Sequence, residues 1–329
     1  NGRVQVTREG AGSYEVRDIE GQVDLATLSD IAAKLELTLA DGAKLATDAE
    51  LRGLVTQGEL RPEGATGTLR VAADRRIELA SLAALAGQPG IGGGLTLAVD
   101  AQLGDGAVTG QLAIGLTELQ STQRAAAGAA PVNAALRGEV GWTGEALSAQ
   151  LDLSGDVGQA HAELAYRPGA EPVAVTADEI VSAILTGGAL ALPDFTLAAQ
   201  ADVDLAKLGR AVPELLSIRE DVELTGGRLA ITQLAVRGGA APTANAAIEL
   251  KDIAAQRAGQ PVRLEPIAVH ADAGLTGGEG LRVARLELTS GFAQLSASGL
   301  ASDLRTTFAA DLGRLQRELV EVQRGQLGR

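Results

Sequence analysis

A side-chain period of two, broken at intervals by one extra residue, constrains this chain more than any other feature. In Leu95-Thr-Leu97-Ala-Val99-Asp-Ala101-Gln-Leu103 the odd positions are apolar or small and most even ones are polar. Leu147-Ser-Ala149-Gln-Leu151-Asp-Leu153 and Phe195-Thr-Leu197-Ala-Ala199-Gln-Ala201-Asp-Val203-Asp-Leu205 repeat the arrangement. Successive side chains of a strand point to opposite faces, so each segment reads as a strand with one apolar and one wetted face. Turn signals stand between them: Asp41-Gly42, Gly104-Asp105-Gly106, Gly226-Gly227 and Gly277-Gly278. Strand, glycine turn, strand predicts antiparallel hairpins and meanders, not βαβ units.

The interruptions are themselves regular. An apolar-x-apolar-x-x-apolar-x-apolar phrase occurs at Leu190-x-Leu192-x-x-Phe195-x-Leu197 and at Leu229-x-Ile231-x-x-Leu234-x-Val236. It returns at Val262-x-Leu264-x-x-Ile267-x-Val269 and Leu281-x-Val283-x-x-Leu286-x-Leu288, with a weaker form at Tyr14, Val16 and Ile19. One inserted residue swaps the apolar face to the other side unless the chain bulges there. Pro193 and Pro266 fall at this step, where a missing N–H costs least if the ladder is already interrupted. Each copy is either one long strand with a built-in kink, the reading adopted, or two short strands joined tightly. Repeated kinks curl a sheet.

Short helices are expected between strands. Thr176-x-x-Glu179 is a capping box before Ile180, and Gly187-Gly188 ends that run, giving a helix at about 176–186. A second is expected at 205–218. A third, at 311–322, places Leu312, Leu315, Leu319 and Val322 on one stripe, of which Leu312, Leu315 and Leu319 are predicted to be buried against the sheet or end-capping contacts. The phrases Val23-Asp24-Leu25-Ala26-x-Leu28, Ile77-Glu78-Leu79-Ala80-x-Leu82 and Val203-Asp204-Leu205-Ala206-x-Leu208 each read as a strand running into a helix that plugs a sheet end. The expected fold is therefore mainly β: a long, antiparallel, curled sheet of kinked strands, open groove or solenoid-like, with a few short amphipathic helices. β-rich regions 1–123 and 132–329 flank an Ala/Gly-rich loop at 124–131, and together they form one continuous assembly.

Composition removes several functions. With 28 basic against 42 acidic residues the charge is −14, a field that repels phosphate backbones, and aromatics for base stacking make up only 2%. Nucleic acid is not an expected partner. Cys is absent, which removes thiolate chemistry and Cys-ligated metals. The two histidines, His161 and His270, each stand alone in an alternating strand, and a zinc site needs about three or four ligands. Gly90-Ile-Gly92-Gly93-Gly94 lacks the last glycine of a dinucleotide-binding turn and leads into a strand. Asp202/Asp204 and Glu220/Asp221/Glu223 read as solvated acids rather than calcium ligands or a glycosidase pair. No catalytic residue, metal ligand or cofactor is expected. The longest uncharged run, Leu79 to Val99, carries glycines and Pro89 in its middle and is no membrane helix.

Gly227-Arg-Leu229-Ala-Ile231-Thr-Gln-Leu234-Ala-Val236 resembles the recurring strand phrase of the AsmA-like and TamB-like envelope proteins. So do Gly280-Leu281-Arg-Val283-Ala-Arg-Leu286-Glu-Leu288 and the following Ala293-Gln-Leu295-Ser-Ala-Ser-Gly299. In style the resemblance covers most of the chain, best from Leu190 to Val322. It implies a periplasmic protein held at the inner membrane of a didermal bacterium, with a curled sheet whose groove holds acyl chains. Transport of phospholipid or outer-membrane assembly, with other envelope proteins as possible partners, would follow. The chain begins at Asn1 without that family's N-terminal anchor, so the expectation is a fragment whose anchor lies outside it. The candidate groove lining is Leu95, Leu97, Val99, Leu103, Phe195, Leu197, Val203, Leu229, Ile231, Leu281 and Val283. The runner-up is a purely structural β-repeat, such as an adhesin stalk or surface scaffold without ligand, and a carbohydrate-active β-helix is third. An apolar face left open separates the first reading from the second.

Overall fold

The structure, a computed structural model, describes residues 2–8, 12–27, 30–53, 55–56, 59–60, 64–85, 90–121, 125, 128–168, 193–216, 222–257, 259–276 and 280–314. They are mainly antiparallel β-sheet with short helices, as the alternation predicts. The chain divides into two compact units, Asn1–Asp156 and Val157–Arg329. The segment 124–131 falls inside the first, between two strands.

Unit one contains β1 (Gly2–Arg8), β2 (Gly12–Thr27), β3 (Asp30–Leu39), β4 (Lys44–Arg52), the small hairpin β5 (Val55–Thr56) and β6 (Glu59–Leu60), and β7 (Thr66–Ala73). There follow β8 (Ile77–Glu78), α1 (Leu79–Leu85), β9 (Ile91–Gly104), β10 (Ala107–Ser121), β11 (Val132–Trp142) and β12 (Leu147–Gly155). Antiparallel ladders join β1 to β2, then β3, β4, β7, β9, β10, β11 and β12, with β8 on one end of β9.

Unit two contains β13 (Gly158–Arg167), β14 (Asp194–Asp204), α2 (Leu205–Ala211), a 3-10 turn (Pro213–Leu216), β15 (Val222–Arg237) and β16 (Thr243–Arg257). It continues through β17 (Gln260–Arg263), β18 (Ile267–Thr276), β19 (Gly280–Thr289), β20 (Ala293–Leu300) and β21 (Asp303–Ala310). The ladder order follows the chain, with β17 and β18 sharing β16 as partner.

The inserted residues are bulges, and they fall where the alternation reverses. Ile231 faces Ile248 and Gln233 faces Ala247, so Thr232 is extra; its Oγ1 donates to the Ala247 carbonyl at 3.3 Å. In β19 one residue more than in β20 lies between Val283 and Leu286. In β2, Val16 faces Leu39 and Asp18 faces Thr38, leaving Arg17 extra. Each extra residue holds the apolar positions before and after it on one face. Two further bulges obey the same phrase. In β10, Ile114-x-Leu116-x-x-Leu119 carries the bulge at Glu118 (φ 53°), and in β16, Ile248-x-Leu250-x-x-Ile253-x-Ala255 carries it at Asp252 (φ 56°).

Three expectations are corrected. Around Pro266 there is no single kinked strand: β17 ends at Arg263 and β18 begins at Ile267, because proline cannot donate to the ladder. Residues 23–26 stay in β2 and run into no helix there, since β3 follows at once and pairs Leu25 with Ile31 and Thr27 with Asp30. The related phrases do form α1 and α2, whose Leu82 and Leu205 pack into the buried clusters. Leu312 is 70% exposed rather than buried: it opens the helical residues 312–314, where Asp311 Oδ1 accepts from Arg314 N at 2.8 Å and Arg314 pairs with Glu265. Leu315, Leu319 and Val322, the helix at 176–186, and Leu190 and Leu192 lie outside the described residues. β14 starts just after Pro193.

Each unit has one cluster of buried side chains at an end of its sheet. In unit one, Leu39, Ala43 and Ile77 pack with Ala73, Leu82 of α1 and Leu95. β3 and β9 are three ladder steps apart, about 14 Å in a flat sheet; sharing one cluster, with α1 against both β9 and β2, requires the sheet to curl. In unit two, Val222, Leu224, Ile253 and Ala255 pack with Leu205 of α2, Leu216, Val262 and Leu264. Asp204 caps α2, its Oδ1 accepting from Lys207 N at 2.9 Å.

Candidate functional site

Residues directly opposite in an antiparallel ladder share a face, so the register writes out each face row by row. In unit one, Gly21, Leu35, Thr47, Val71, Val99, Leu112, Gly138 and Leu151 are successive partners across eight strands. Neighbouring rows on the same face run Leu103–Val108–Trp142–Leu147 and Leu97–Ile114–Leu136–Leu153. No charged residue enters these rows.

Unit two has the same construction. Ala160, Ala201, Ile231, Ile248, Val269, Leu288, Leu295 and Phe308 form one row from β13 to β21. Beside it run Leu164–Leu197–Val236–Ala244–Ala273–Val283–Gly299–Leu304 and Gly158–Val203–Leu229–Leu250.

The candidate lining residues therefore fall on these apolar faces, by unit. Leu95, Leu97, Val99 and Leu103 are consecutive face positions of β9. Leu197, Val203, Leu229, Ile231 and Val283 lie in the rows of unit two, with Leu281 opposite Leu275. All are partly exposed. Two differ in setting. Leu95 packs against the closed cluster under α1. Phe195, opposite Tyr166, lies over Gly238 at a strand end, so tightly that a Cβ on Gly238 would approach its ring to 2.4 Å. The sequence reading missed Val71, Leu112, Leu136, Leu153, Ile248, Val269 and Leu295 as lining, although the same alternation marks them.

Exposure along the rows is what gives the faces their chemical character. Val140, Leu151 and Leu153 are 43%, 45% and 37% exposed, and Phe308 is 67% exposed. Among the described residues of each unit no second sheet covers these rows; only α1, α2 and the 3-10 turn lie against the sheets, at the ends.

The opposite faces are polar, and their charges pair sideways along the rows. Lys34 Nζ stands 3.5 Å from Asp48 and Arg70 Nε 2.7 Å from Asp100, around a depression of about 260 Å3 lined by Lys34, Asp48, Glu50, Arg70 and Asp100. Arg228 bonds both oxygens of Asp202, Nε to Oδ1 at 2.6 Å, and this hydrogen bond holds the Asp202 carboxyl below its usual range against the opposing effect of burial. The hydrogen bond from Arg285 does the same for Glu287. His161 Nε2 lies 3.0 Å from Glu163, and His270 faces Glu287 across the ladder. Among the described residues no group of three His, Asp or Glu side chains is placed to hold a metal ion. These charges neutralise one another in exposed pairs, each contributing little to stability, and they solvate the face.

Compared with family models, with curated proteins and with solved structures, the chain matches none.

Proposed function

We propose that this chain is a non-enzymatic lipid-holding segment of a cell-envelope protein, its apolar faces taking the acyl chains of phospholipid. The observation that carries the reading is that, among the described residues of each unit, no second sheet covers the apolar rows: Leu, Val, Ile and Ala follow one another across eight strands and remain partly exposed. An apolar face of that extent marks a binding surface in a soluble protein. Nine residues of strand span about 30 Å, close to the roughly 30 Å hydrocarbon core that the acyl chains of two leaflets fill together, so one face is long enough to cover an extended acyl chain from end to end. Each lipid methylene withdrawn from water contributes about 0.8 kcal/mol. The strand phrases at Gly227–Val236 and Gly280–Leu288 resemble those of the AsmA-like and TamB-like proteins, and the periplasm as the site of action is proposed on that resemblance. Attachment to the inner membrane would come through a segment outside this sequence.

Native mass spectrometry and extraction of co-purified lipid test this on the purified chain. Phospholipid should accompany the wild type, and Leu197→Asp or Ile231→Asp, which put a charge into the middle of the unit-two rows, should lower the amount several-fold without unfolding the sheet. Lipid-free protein from cells, unchanged by either substitution, would leave a purely structural β-repeat as the better reading.

A further inference from the structure

β21 forms one edge of the unit-two sheet: it pairs with β20 on one side and with no described strand on the other. All of its residues are exposed, including Leu304 at 43% and Phe308 at 67%. Natural edges are blunted by charged side chains, lysine above all, and by proline, bulges or brevity. Asp303-Leu-Arg-Thr-Thr-Phe-Ala-Ala310 carries Arg305 as its one charge past the first residue and has neither lysine nor proline; it pairs without a register shift and is eight residues long. Such an edge is a template for another strand, and its own sequence says which.

We propose that β21 pairs antiparallel with β21 of a second copy of this chain, about a two-fold axis through Thr306. Leu304, Thr306 and Phe308 share the apolar face, because their partners in β20 are Gly299, Ala297 and Leu295. Opposed residues must share a face, so only registers centred on a residue are allowed. Centring on Arg305 sets two arginines against each other, which is unfavourable. Centring on Thr307 puts Leu304 against Ala310 and leaves Phe308 against threonine. Centring on Thr306 places Leu304 opposite Phe308 of the second copy, twice by symmetry, and Arg305 opposite Thr307, with no like charges facing. The two most exposed apolar side chains of the edge then cover each other. The row ending Leu288–Leu295–Phe308 continues through Leu304 and Gly299 of the second copy. This pairing is independent of the lipid reading.

The absence of cysteine makes a clean test. On the axis, Thr306→Cys brings two Cα atoms to about 5 Å, inside disulfide range. Thr307→Cys faces Arg305, and its own copy stands about 7–8 Å away on the diagonal, at or beyond that range. Sedimentation of the whole chain at tens of micromolar should give twice the 33.4 kDa chain mass. Mild oxidation should convert most of Thr306→Cys to covalent dimer and little of Thr307→Cys, and Thr306→Pro should sediment as monomer. A monomeric wild type overturns the proposal, and if hydrogen exchange then finds β21 protected, the chain itself covers the edge. A dimer that survives Thr306→Pro, or that cross-links equally at both positions, also overturns it by locating the contact elsewhere.

Discussion

The closed end and the open stretch of each sheet are built from the same residues and end in different states. Val222 and Leu224 of β15 are 1% and 6% exposed, whereas Leu229 and Ile231 a few positions along the same strand remain partly open to solvent. In β16, Ile253 and Ala255 are buried while Ile248 and Leu250 are not. The difference is a second layer: α2 and the 3-10 turn lie over the first group, and β17 extends the sheet beside it. A bulge marks the change, at Asp252 in β16 and at Glu118 in β10, beyond which Ile91, Ser121 and Val132 are buried. Apolar alternation thus builds the face, and a short helix decides whether that face becomes core.

The largest effect should come from testing the two regions with one kind of substitution. Ile253→Ala, in the closed cluster, should cost about 2–4 kcal/mol in urea unfolding through lost burial and a residual cavity. Leu151→Ala, 45% exposed in the open stretch, should cost about 0.5 kcal/mol. Equal losses would mean that the open rows are core after all.

The boundary can be tested next. Gly93 sits opposite the β10 bulge with φ 131°, and a Cβ there would lie 2.9 Å from the Thr117 carbonyl and 3.0 Å from that of Glu118. Gly93→Ala should cost about 1–3 kcal/mol, with hydrogen exchange rising first at β9 and β10. A neutral Gly93→Ala would show that the bulge is not fixed by this close approach.

A smaller effect separates two similar phrases. Asp204→Ala removes the cap of α2 and should cost about 1 kcal/mol, whereas Asp24→Ala, in an exposed strand position of the parallel phrase at 23–28, should leave the melting midpoint unchanged. A loss at Asp24 as large as at Asp204 would contradict the strand assignment there.

These positions also show what the sequence made legible. Alternation located the apolar faces, and its reversals located the bulges at Arg17, Thr232 and Ala284, because only an extra residue keeps Leu234 on the side of Ile231 or Leu286 on that of Val283. The bulges at Glu118 and Asp252 carry the same phrase, but Ser121 and Ala255 close it with small side chains and hide the apolar signal. The misread helix after Ala26 has another cause: local propensity is alike in the three phrases, and only after 23–26 does the next strand return at once and pair with the phrase along its length. The meander order followed from the turn signals, but register, and hence which lining residues share a row, is non-local and left no mark in single segments.

The smallest effect concerns the polar face. Asp202 has its carboxyl pKa lowered by Arg228, so the pair stabilises the fold above the ordinary carboxylate range, and that contribution is lost as pH falls through the lowered value. Arg228→Leu should therefore reduce the urea midpoint slightly at neutral pH and not at all in strong acid, slightly because both side chains are partly solvated. A deficit that persists in acid would assign the role of Arg228 to packing.

If acyl chains lie along the open rows, as proposed, the single tryptophan reports on it directly. Trp142 is partly exposed on the apolar face, in the row Leu103–Val108–Trp142–Leu147. Its fluorescence in the whole chain should be measured after exchange with phospholipid brominated along the acyl chain, against the unbrominated lipid. Strong quenching by the brominated lipid alone, lost in Leu103→Asp, is the predicted result. Emission that is the same with both lipids, from folded protein, would contradict the account.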